Sequence, residues 1–223
     1  MNKWQYPSLT LGERCVEFAH NELYNNVAED KPKSYTSPRI REYFAITTRL
    51  VNGKETKIPI QSANWCSAAV SFSLFNSLLP GELKPHGYRL GVVEIVADLQ
   101  KNKSYFPKSA VLNHIYKIKV GDPVIFDRST PGDPATQWFR HIGFVNEVSA
   151  TSFTCISGNS GGKWRISGHK YDQPNLLGFG SYSNQTYLFS DSDNLIPDPS
   201  HEDILSLTPM EDTGTVINPF DMI

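Results

Sequence analysis

The hydrophobic period of this chain changes once along its length, and that change restricts the fold more than any other feature. Up to Lys101 the apolar residues recur at helical spacing. Leu11, Cys15, Phe18, Ala19 and Leu23, with Glu22 on the same stripe, predict a first helix over 11–28, capped by Thr10 and broken by Lys31-Pro32. Ser37-Pro38 opens a short helix through Phe44, because serine suits an N-cap and proline fits the first helical position, where the N–H is unpaired anyway. The segment from Asn52 to Lys57 reads as a polar loop. The apolar run that begins at Cys66 predicts a helix to Leu79, stopped by Pro80-Gly81, and Val92, Ile95, Val96 and Leu99 share one face of a helix ending at Lys101. Downstream, Val124-Ile125-Phe126 and the runs 141–148, 153–157 and 177–182 are short, β-branched or aromatic, and separated by Gly, Pro, Asn and Asp. They predict an antiparallel meander. Helices first and strands second make an α+β domain with one helix packed across a sheet.

Length and charge narrow the function. A chain of 223 residues, 39% hydrophobic and 20% charged, suits one globular domain, here residues 1–189, followed by an acidic, proline-punctuated tail over 190–223 that wraps the domain or meets a partner. The net charge of −2 leaves no basic field for nucleic acid or an anionic membrane. Neither a secretory leader nor an apolar stretch long enough to span a bilayer is present, so the expected route is synthesis in the cytoplasm and delivery by another machine. Cys15, Cys66 and Cys155 are too few and too irregular for a disulfide framework or a thiolate zinc site, and the histidines lack metal-ligand spacing. No cofactor or metal is expected.

Cys66 stands where the polar stretch Asn64-Trp65 gives way to Ser67-Ala68-Ala69-Val70, in the predicted first turn of a helix. Unpaired N–H groups and the positive end of the helix dipole both favour a thiolate there. His141 opens a later apolar strand and can act as the base, and Asn159, at the end of the next strand, can fix the imidazole tautomer. This is the order a papain-like thiol hydrolase requires. Each residue also has a plainer reading: a buried core cysteine, a satisfied strand-edge histidine, an asparagine capping the turn Ser157-Gly158-Asn159-Ser160. Cys15 and Cys155 fit core positions, and His169 reads as part of a glycine-flanked loop.

These segments resemble a known family, the CHAP amidohydrolase/peptidases, relatives of the NlpC-type cell-wall peptidases. The resemblance rests on Ser37-Pro38-Arg39-Ile40 with Glu42-Tyr43, on Trp65-Cys66-Ser67-Ala68-Ala69-Val70, on Gly121-Asp122-Pro123-Val124-Ile125-Phe126 followed by His141-Ile142-Gly143-Phe144-Val145, and on Gly158-Asn159. It implies a papain-like fold with the catalytic helix on an antiparallel sheet, Cys66 as nucleophile, His141 as general base and Asn159 as the orienting group. The implied reaction is hydrolysis of a peptidoglycan amide bond through an acyl-enzyme, by an endopeptidase or an N-acetylmuramoyl-L-alanine amidase. The Cys66 N–H would share the oxyanion with Gln61 or Asn64. Trp65, Trp138 and Phe139 are the candidates for substrate contact, the last two in an insertion over 127–139. Two other readings stay open: a structural or wall-binding part of a phage tail or secretion apparatus, with a neighbouring subunit or an immunity protein as partner, and a thiol hydrolase of another amide.

Overall fold

The computed structural model describes residues 6, 8–30, 37–57, 64–133 and 140–182. Among these residues, five helices precede most of the sheet. Helix α1 (Leu11–Tyr24) starts at a capping box in which the Thr10 hydroxyl accepts from the Glu13 N–H and the Glu13 carboxylate accepts from the Thr10 N–H. Helix α2 (Pro38–Ala45) begins with proline as expected, and a two-stranded hairpin, β1 (Arg49–Val51) with β2 (Lys54–Thr56), follows it. Helix α3 (Cys66–Ser77) is buried along almost its whole length, and α4 (Val92–Lys101) buries Val92, Ile95, Val96 and Leu99. Strand β3 (Tyr105–Pro107) and helix α5 (Lys108–Leu112) lead to the main strands: β4 (Pro123–Asp127), β5 (Arg140–Val148), β6 (Ser152–Ser157), β7 (Arg165–Lys170) and β8 (Leu176–Gly180).

The six-stranded sheet has the order β3-β8-β4-β5-β6-β7, antiparallel throughout. Strands β4 to β6 follow the expected meander, and β7, which was not expected, extends it at the edge. β8 departs from it by returning to lie between β3 and β4. The chain is therefore α+β, with the central strands of the sheet buried on both faces. Ile125, Ile142, Phe144 and Ile156 point toward α1 and α3 and form one core with them, while Val124, Phe126, Val145, Phe153 and Cys155 form a second core with Tyr116, Leu176 and Phe179. Strand alternation assigns each residue its face.

Two glycines allow close approaches that position α1 and α3. Gly121 adopts φ +89°, and a Cβ there would lie 2.1 Å from the carbonyl carbon of Gly12, so the first turn of α1 rests directly on the turn into β4. A Cβ on Gly158 would lie 2.4 Å from the Trp65 ring and 2.8 Å from the Ala69 Cβ, so the start of α3 lies against the end of β6.

Four expectations are corrected. The first helix stops at Tyr24, because Asn25 caps it and Asn26 turns left-handed at φ 52°. The polar stretch after Asn52 is part of a hairpin that turns at Asn52-Gly53, both at positive φ. The segment holding His169 is edge strand β7, exposed along most of its length, whose pairing with β6 its polar sequence did not signal. The fourth is the return of β8 into the sheet's interior. The expected tail over 190–223 lies outside the described residues. No described helix is long and apolar enough to cross a membrane.

Candidate active site

Cys66 is the first residue of α3, and the residue before it, Trp65, provides no side-chain cap. The first-turn amides are thus left for another acceptor. The backbone N–H groups of Ile142, Ser67 and Cys66 itself face the thiol and favour its ionised form, as does the positive charge of Arg128. Burial opposes them and wins: the thiol is only 2% exposed, and desolvation pushes its pKa above the ordinary value. The resting group is a neutral thiol, where the helix terminus alone predicted a thiolate. Cys15 and Cys155 are raised to about 12, also by burial, and each is eased by a side-chain hydroxyl, Ser77 and Ser157 respectively.

His141 lies on β5 across from Phe126 of β4 and is 4% exposed. Its Nε2 lies 3.0 Å from the Ser157 hydroxyl, which in turn lies 3.1 Å from the Ser160 hydroxyl. Desolvation, then the charges of Arg128 and His169, pull its pKa down to about 3, so the imidazole is neutral at physiological pH. Arg140 is not the cation responsible. Its side chain leaves the imidazole's row and pairs with Asp127 at 3.0 Å. Cys66 meets β5 at the main chain, at the amide of the residue following His141. Among the described residues, no hydrogen bond joins the thiol to the imidazole.

The third group differs from the expected one. Asn159 adopts φ 60° in the turn after β6, and its Nδ2 donates to Asn64 Oδ1 at 3.2 Å. It grips the segment entering α3, and Ser157 holds the imidazole. The missed signal is Gly143. The pairing of Phe144 with Ile156, carried back one step, sets Gly143 opposite Ser157, and a Cβ at 143 would lie 2.6 Å from the Ser157 Cβ. A side chain there would close the diagonal path from His141.

Trp65 is corrected from substrate contact to packing. It is wholly buried, tilted against Tyr43 and edge-on to Trp164, and its Nε1 donates to Glu29 at 3.0 Å. Around it, Glu22 accepts from Tyr43 and from Arg39, and Trp164 Nε1 donates to the Tyr43 hydroxyl at 3.1 Å. The Glu29 N–H donates to Gly162 O at 2.8 Å, which fastens the 158–163 turn beside the start of α3. Ser67 and Ser71 tie the other side of the helix to the Leu90 and Arg89 carbonyls. Gln61, Trp138 and Phe139 lie outside the described residues.

Among the described residues, no three His, Cys, Asp or Glu side chains are grouped as metal ligands would be. Comparisons of the chain with protein-family models, with curated proteins and with solved structures find no match in any of the three.

Proposed function

We propose that the chain is a thiol hydrolase of CHAP-like, papain-like architecture that cleaves an amide bond of peptidoglycan. One observation carries this reading: of the three cysteines, Cys66 is the one whose thiol is faced by backbone amides, and one of those amides belongs to the residue after His141. His141 alternates with Ile142 and so rests on the Phe126 face of the sheet, away from α3. In this reading its Nδ1, which keeps its lone pair while Nε2–H donates to Ser157, takes the Cys66 proton once the imidazole turns toward α3 as the sulfur attacks the carbonyl. Ionisation belongs to the attack itself, since both groups rest neutral. The resulting imidazolium returns the proton to the leaving amine, and water then releases the acyl group from the sulfur. The Cys66 N–H and the Asn64 amide, whose oxygen Asn159 already engages, are the donors for the oxyanion.

The test is incubation of purified peptidoglycan with the protein and with Cys66→Ala, followed by mass spectrometry of released muropeptides. Release by the wild type alone supports the reading; equal inactivity overturns it.

The 2% exposure of Cys66 favours a second reading, a structural or wall-binding component in which this cysteine is core. Iodoacetamide separates the two. A reactive Cys66 alkylates far faster than Cys15 or Cys155, whereas a structural domain labels slowly at all three.

A further inference from the structure

Tyr182 closes the described residues, and its contacts show where the chain leaves the domain. The Ser181 N–H donates to Ser104 O at 2.8 Å, and the Tyr182 hydroxyl meets Nε2 of the buried His86. The exit therefore lies between the residues that follow α4 and the loop that carries His86. Lys84 and Tyr88 stand two positions either side of His86, no more than about 7 Å from it along the chain.

The same loop carries an apolar surface that the described residues leave open. Leu83 is 83% exposed, and Phe75, in the last turn of α3, is 48% exposed. The Phe75 ring meets Tyr88 edge-on at 5.6 Å, and Lys84 Nζ lies 4.4 Å from the centre of the Tyr88 ring. Asn102 Nδ2 donates to Pro85 O at 2.8 Å, which brings the exposed Lys101 and Lys103 to the edge of this surface. The neighbouring acids are already engaged, Glu82 with Arg14 and Asp98 with Arg89.

We propose that this surface is the docking site of the chain's own segment 186–193, with Tyr187, Leu188 and Phe189 covering Phe75, Leu83 and Tyr88, and Asp191 and Asp193 meeting the lysines around them. The inference stands apart from the hydrolase reading. Tyr187 comes five positions after Tyr182, a reach of up to about 17 Å, so the segment can lie on the surface beside its own exit. Charge favours the same occupant. Residues 183–223 hold eight acidic side chains and neither lysine nor arginine, which leaves residues 1–182 with 21 basic against 15 acidic side chains, a net of +6. A second copy seated face to face on this surface would instead oppose Lys84 and its neighbours with themselves.

Hydrogen exchange of the full chain, read by peptide mass spectrometry, tests this. Amides over 186–190 are expected to exchange about tenfold more slowly than in a synthetic peptide of the same sequence, at a rate independent of protein concentration. Leu83→Asp, at an exposed position outside the buried core, is expected to abolish that protection while peptides of β5 keep theirs. Leu188→Asp should do the same without touching the described surface. Unprotected exchange over 186–190 in the wild type overturns the proposal. Protection that survives both substitutions also overturns it, because the segment then rests elsewhere. Protection that grows with protein concentration overturns it in favour of a second copy.

Discussion

The Nε2 of His141 and the hydroxyl of Ser157 lie 3.0 Å apart on neighbouring strands, and Gly143 leaves the path between them open. Ser157→Ala removes the group that fixes the tautomer while leaving the thiol and its amides in place. Muropeptide release is expected to fall on the order of tenfold, a part of what a positioned base supplies. Asn159→Ala, which loosens Asn64 instead, should act on the oxyanion and leave the imidazole's pH dependence unchanged.

Gly143→Ala is the steric counterpart. Its Cβ would meet Cys155 Sγ and Ser157 Cβ at 2.6 Å and Ile156 O at 2.7 Å, so both the β6 backbone and the core beneath must yield. The expected cost is about 1–3 kcal/mol in urea unfolding. Activity should fall along with it, because Ser157 is pushed off the imidazole.

Glu22 is almost wholly buried and accepts from Arg39 Nε at 3.0 Å and from the Tyr43 hydroxyl. Glu22→Ala leaves the Tyr43 phenol without its acceptor beside Trp65 and leaves the Arg39 guanidinium with Glu42 alone. A loss of about 1–3 kcal/mol is expected, read by thermal denaturation. Tyr43→Phe, which keeps the ion pair, should lose much less.

Stability should rise with pH around pH 5. Burial holds the folded His86 at about 4 and the folded His141 at about 3, below the ordinary 6.5, so each costs stability as pH falls from 6.5 toward its folded value. Asp122 has the opposite sign. Its burial beside Tyr116 raises it from 3.8 to about 7, so its contribution is present at low pH and lost as pH rises through 7. Near pH 5 the unfolded chain therefore binds two protons at His86 and His141, with His169, also lowered by burial, acting in the same direction, and the folded chain binds one at Asp122, a net of one from His86, His141 and Asp122. That corresponds to about 1.4 kcal/mol per pH unit, measurable as the shift in urea midpoint between pH 4.5 and 5.5. Asp122→Asn, which removes the opposing group, should roughly double the slope.

The elements with strong local periodicity were legible before any coordinates. α4 runs from Val92 to Lys101 as its spacing predicts, α3 begins at Cys66, and β4 to β6 fall on the apolar runs. These depend on residues within a few positions of one another, and the pattern of one face against solvent is written in sequence order. The places of Cys66 at the start of a helix and of His141 near the start of a strand were legible in the same way.

What sequence order could not decide was everything set by contact across the chain. A one-residue irregularity between Val145 and Glu147 fixes which β6 side chain reaches His141, and no local signal predicts that shift. β8 starts 49 residues after β4 ends, from Asp127 to Leu176, and enters the sheet's interior beside it through contacts such as Ile125 with Gly178 that only folding creates. The protonation states followed the same rule. A helix terminus promises a thiolate, but whether its charge survives depends on how much water the packed layers of α1, α3 and the sheet exclude, and that is a property of the tertiary structure.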